Sequence, residues 1–208
     1  MESLSSKESF FIGLGLSNNS NNDSSICVLD RQSRIILIDK FYFAQDIEYF
    51  FETSPYVKNS MVCVSVAYDN KMLNGKWRIH TKNYKVLGDY FKVNRDDWTN
   101  RVSHRCCDIL KKIQQQNIKV IRADINQLRL SYGISAHYLQ GSSVDCKNLQ
   151  TGLKIKYGFC ELPDNMLSFS SLQSIICAMF AMDYANNIKT KEIFRIDSIP
   201  VLSRANNT

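Results

Sequence analysis

Phe10 to Phe43 reads FFIGLGLSNNSNNDSSICVLDRQSRIILIDKFYF, and the reading of this stretch decides the fold. Phe10–Ser17 is apolar and predicts a buried strand. Asn18–Ser25 is turn chemistry throughout, because Asn, Asp and Ser bond their own backbone and Asn and Asp tolerate left-handed conformations. Ile26–Asp30 predicts a second strand, Arg31-Gln32-Ser33 a short turn, and Ile35–Phe43 a third strand. Three strands joined by short polar turns make an antiparallel meander.

Further along, Gln45–Glu52 predicts a short helix that stops near Pro55. Met61–Ala67 (MVCVSVA) lacks polar alternation, as a strand covered on both faces does. Asn70–Gly88 reads as a loop and a basic amphipathic helix. Asp96 or Asp97 then opens a long helix to about Gln116, with Val102, Cys106, Ile109, Leu110 and Ile113 at helical spacing. Ile118–Ala123 predicts a fifth strand, Tyr132–Asp145 an irregular stretch and Cys146–Tyr157 a lysine-bearing helix. Ser168 or Ser170 caps SLQSIICAMFAMDYA, the most apolar helix of the chain. Ile193–Leu202 reads as one short last strand interrupted by Pro200. Antiparallel strands followed by alternating strands and helices imply an α/β fold of three layers. Its mixed sheet has five strands or slightly more, with helices on both faces.

The 208 residues, 44% hydrophobic, suffice for one core, so a single domain over 1–208 is expected, with 1–9 as a flexible lead-in. No apolar run is long enough for a membrane helix, and the first nine residues do not resemble a secretory signal. A cytoplasmic protein with no membrane partner is the expectation. Seven cysteines, an odd number without a C-x-x-C pair, fit that setting. Cys63 and Cys177 sit in apolar runs as small hydrophobes, and adjacent Cys106 and Cys107 do not face each other on a helix.

The net charge of +6 is unevenly placed. Residues 71–122 hold 13 basic and 4 acidic side chains, a net +9, whereas residues 1–70 hold 5 and 9. Lys76, Arg78, Lys82 and Lys85 fall on or beside the first predicted basic helix, and Arg101, Arg105, Lys111 and Lys112 on the long helix after it. Such a segment attracts polyanions, which makes nucleic acid a candidate partner. Solvated lysines on amphipathic helices account for the same charge, and no aromatic stacking platform accompanies it.

Four local sequences resemble those of an uncharacterised prokaryotic family of predicted nucleases with the ribonuclease H-like fold. FIGLGLS, at Gly13–Ser17, resembles its Gly-Ile-Asp-x-Ser first strand. VCVSVAYDNKMLNGKWR resembles its Ile-Asp-Ala-Pro strand and the glycine- and arginine-bearing loop after it. VIRADINQL resembles its Val-x-Glu-x-His/Tyr-Pro strand, and SLQSIICAMFA its Asp-Ala-x-x-x-Ala-x-x-Ala helix. The closing IDSIPVLSR matches the family's proline-bearing last strand.

The resemblance implies a ribonuclease H-like fold and sets four positions together as one ancestral site. At each of them the family's acid is missing: Gly15, Ser65, Arg122 and Gln173 stand in its place. Nucleases of this fold hold two divalent metals about 4 Å apart that stabilise the attacking and leaving oxygens. Magnesium requires carboxylate oxygens, which none of these four supplies. The resemblance so read implies a catalytically degenerate domain that binds or scaffolds, with no catalytic residues, no cofactor and no bound metal.

Two rival readings remain open. Asp69 and Asp124, just past the fourth and fifth strands, form the preferred pair of a relocated magnesium or manganese site, which would make the chain a metal-dependent nuclease. Asp30 and Asp39 on or near the hairpin strands and Asp183 at the end of the late helix are further candidates for such a site, against the commoner reading of surface carboxylates. The other rival is a protein-interaction domain or homo-oligomer without a nucleic-acid role. Gly13-x-Gly15 with Ser17 lacks the third glycine and following helix of a dinucleotide loop, and the Gly-Lys-Ser/Thr of a P-loop. His104 lies at helical spacing from Cys107 and Asp108 but lacks a partner pair for zinc, and His80 and His137 are isolated.

Overall fold

The computed structural model describes residues 8–16, 23–66, 113, 116, 118–134, 138–139, 141–196 and 199–205. The basic positions Lys76, Arg78, Lys82, Lys85, Arg101, Arg105, Lys111 and Lys112 lie outside the described residues, as do Asp69, Cys106, Cys107 and the three histidines.

Seven strands form one mixed sheet. They are β1 (Phe10–Gly15), β2 (Ser24–Asp30), β3 (Ile35–Phe41), β4 (Ser60–Val66), β5 (Lys119–Asp124), β6 (Thr190–Ile196) and β7 (Ile199–Arg204). Their order across the sheet is β3-β2-β1-β4-β5-β7-β6. The first three strands are the expected antiparallel meander, and β4, β5 and β7 run parallel to β1. The β2–β3 turn is locked by Asp30, whose carboxylate accepts from the amides of Gln32 and Arg34 and from the Arg34 guanidinium.

Four helices cover the two faces among the described residues: α1 (Ala44–Thr53), α2 (Ile125–Ser131), α3 (Ser143–Tyr157) and α4 (Phe169–Ala185). Strand alternation divides the core accordingly. Phe11, Cys27, Leu29, Met61 and Cys63 face α4, which buries Leu172, Ile175, Ile176 and Phe180 against them. Ile12, Leu14, Val28, Val62 and Val64 face the other way, toward Ile47, Phe50 and Phe51 of α1 and toward Ile113. The α1 triad recurs at i, i+3 and i+4, as an amphipathic helix on a sheet requires. No described helix is long and apolar enough to cross a membrane.

The structure corrects the sequence reading in three places. The chain's last strand is a hairpin, with β6 and β7 antiparallel from Thr190↔Arg204 to Ile196↔Ile199. Pro200 interrupts no strand; it is the second residue of β7, opposite Arg195 of β6, and the pairing of β7 with β5 falls beyond it, at Leu202. Helix α3 begins at Ser143, three residues early, because the Ser142 hydroxyl caps it by accepting from the Asp145 amide. Helix α2 was not expected at all. Its seven residues are too few for a clear periodicity, and its start is set by the Asp124 side chain, which accepts from the amides of Asn126 and Gln127.

Behind α4, a buried ion pair ties α2 to α3. Arg129 meets Asp145 through two bonds, of 3.1 and 2.6 Å, and Asp145 also accepts from the Gly141 amide. Nearby, the Tyr132 hydroxyl donates to Asp183 of α4. Burial holds the Asp183 carboxyl above its ordinary range, against the lowering pull of Tyr132 and Arg204.

Candidate functional site

Of the four positions that the resemblance sets together, Gly15 and Ser65 stand at the carboxyl ends of β1 and β4. The register pairs Gly13 with Cys63 and Leu14 with Val64, which brings Gly15 beside Ser65 on the face under α4. Ser65 is buried, and its hydroxyl accepts from the Leu16 amide at 3.4 Å. Gln173 lies in the second turn of α4, half-buried, between the two helix residues that meet Gly15.

The glycines of β1 are a seat for α4. A Cβ on Gly13 would lie 1.8 Å from the Ser174 carbonyl oxygen, and a Cβ on Gly15 would lie 2.2 Å from the Ser170 carbonyl oxygen. Both atoms are helix backbone, which cannot swing aside as a side chain does. Helix α4 therefore crosses β1 at a distance only glycine permits, with its amino end over the carboxyl end of the strand.

Arg122 is brought to the same end of the sheet but not to the same side. It pairs with Val64, whereas Ala123 pairs with Ser65, so its buried side chain leaves the sheet on the face that α1 covers. Arg122 therefore lies on the opposite face of the sheet from Gly15 and Ser65. The spacing of residues on β5 alone gives no facing; that takes the strand register.

Among the described residues, the carboxylates weighed in the sequence do not converge, and Asp69 lies outside them. Asp124 is buried as the α2 cap, Asp30 holds its turn, Asp39 is exposed on β3 and bonds the Lys40 amide, and Asp183 bonds Tyr132. Among the described residues, no group of three or more His, Cys, Asp or Glu is placed to hold a metal ion. The residues at the ancestral site do not fit a magnesium pair. The direction a β1 carboxylate would take is filled by the Ser170 carbonyl, and Ser65 and Gln173 present only a hydroxyl and an amide.

One acid at this edge escaped the sequence reading. Asp23, just before β2, accepts from Ser168 Oγ at 2.5 Å and from Ser170 Oγ at 2.9 Å, and Lys40 Nζ lies 3.7 Å away. Burial raises the Asp23 carboxyl, but the two hydroxyls and Lys40 outweigh it and hold the group below its ordinary range. Asp23 sits in a turn-like run 145 residues before Ser168, so no local pattern pairs them. At the opposite, amino-terminal ends of the same strands, a cavity of about 530 Å³ opens beside Glu8, Phe51, Val57 and Lys119.

A β1–β3 meander continued by parallel β4 and β5, with one apolar helix seated across β1, defines a ribonuclease H-like α/β fold. The solved structure of RuvC from Thermus thermophilus shares this fold, with a TM-score of 0.54 at 9% sequence identity over 84% of this chain and 95% of that chain. No protein-family model and no curated protein sequence matches the chain.

Proposed function

We propose that this chain is a catalytically degenerate ribonuclease H-like domain that binds without cleaving, and that nucleic acid is the ligand of its basic middle segment. The observation that carries this reading is the Gly15 seat, where helix backbone occupies the path of the β1 side chain that would have to supply a metal-binding carboxylate. Ser65 supports it, since its hydroxyl is already used on the Leu16 amide. The relocated-site alternative draws less support, because the Asp124 carboxylate is committed to the first turn of α2.

The binding half of the proposal rests on charge and connectivity. The net +9 segment at 71–122 follows β4, whose last residues lie at the ancestral site. A phosphate backbone bound there would release counterions, and its affinity would fall steeply with salt. Anisotropy of labelled single- and double-stranded oligonucleotides is expected to give dissociation constants on the order of micromolar or weaker at physiological salt. Lys76→Ala with Arg78→Ala should weaken binding and flatten the salt slope, with no cleavage in magnesium or manganese. Binding that ignores salt, or none at low ionic strength, overturns the nucleic-acid reading; metal-dependent cleavage overturns the degenerate one.

A further inference from the structure

Three contacts at this edge converge on one oxygen of Asp23. Asp23 reaches from the start of β2 to two hydroxyls in the amino-terminal turn of α4, and Lys40 of β3 faces the same oxygen. The same turn lies on Gly15, with the Ser170 carbonyl where a β1 side chain would start. Ser168 is also the helix cap, its hydroxyl accepting from the Ser171 amide at 3.4 Å. One carboxylate thus binds the helix terminus, and one ammonium from the edge strand offsets its charge. Together these contacts join β2, β3 and α4.

We infer that Asp23, Ser168, Ser170 and Lys40 form a clamp that seats α4 on the sheet in place of the metal-bridged carboxylates an active enzyme of this fold would use there. The inference rests on the degenerate reading of the site. It also predicts that one substitution does not re-arm the edge. An aspartate at position 15 has to displace the helix turn that the clamp fixes. Asp23 is a positioning residue whose hydrogen bonds are spent within the fold.

Hydrogen exchange at the α4 amides of Ser171–Ser174 reads the clamp directly. Asp23→Ala is expected to speed their exchange at least tenfold relative to amides in α3, in EDTA and in magnesium alike. Lys40→Gln, at a partly exposed position that leaves the hydroxyl bonds in place, should give a smaller acceleration in the same amides, and it serves should Asp23→Ala fail to fold. Unchanged exchange in both variants overturns the clamp while leaving the proposed function intact. Magnesium that slows exchange at these amides in the wild-type chain overturns it as well, since the metal would then be acting where the clamp sits. Saturable metal binding with these amides unaffected leaves the four contacts standing but refutes the degenerate reading, and with it the claim that they replace metal-bound carboxylates.

Discussion

Gly13→Ala is expected to leave little stably folded protein. The added methyl would lie 1.8 Å from the Ser174 carbonyl oxygen and 2.3 Å from the Ala178 amide nitrogen, both in the middle of α4. Relief requires lifting the helix from β1, and that opens the core formed with Leu172, Ile175, Ile176 and Phe180. Overpacking of this kind with no side chain to yield costs about 4 kcal/mol or more. For a chain of this length that is a fall in melting temperature of roughly 10 °C or more. Gly158 supplies the contrast. Its φ is +73° and nothing lies within 4 Å of an added Cβ, so Gly158→Ala should cost only about 1 kcal/mol, from backbone strain. Thermal melts followed by circular dichroism compare the two. A Gly13→Ala variant that melts within a degree or two of wild type would mean that α4 does not ride on β1.

The second large effect is expected from Asp145→Ala. Arg129 and Asp145 side chains are only 3% and 1% exposed and bond bidentately. Removing the carboxylate strands a buried guanidinium and frees the Gly141 amide, at a cost of about 3–5 kcal/mol. An apolar pair of similar volume, Arg129→Met with Asp145→Leu, should recover most of that loss, because desolvating two charges offsets much of their attraction. Urea denaturation of the single and double variants measures both. A single variant that loses less than about 1 kcal/mol would place this pair in solvent rather than in the core.

Much of the fold was legible because its signals are local. The apolar runs at Phe10, Ile26, Ile35, Met61 and Ile118 each became a strand, and SLQSIICAMFAMDYA became the central helix. The features that escaped are set by distant partners or by short lengths. Helix α2 is seven residues long and starts on Asp124, which the sequence offers as a metal ligand or a surface carboxylate. The β6–β7 hairpin was hidden because its strands are joined by only two residues and Pro200 resembled a break. At the site, the sequence places Gly15 and Ser65 together through the resemblance, but the reason for glycine lies at Ser170, 155 positions on. Arg122 shows the same limit, since which face it takes depends on pairing with Val64 and not on its neighbours in the chain.

Calorimetric titration of manganese into the wild-type chain bears most directly on the loss of the metal site. With Gly15 closed by helix backbone and Ser65 engaged by Leu16, no saturable heat is expected. A saturable isotherm that disappears in Asp124→Ala or Asp69→Ala would contradict it and place a working metal site at the ends of β4 and β5.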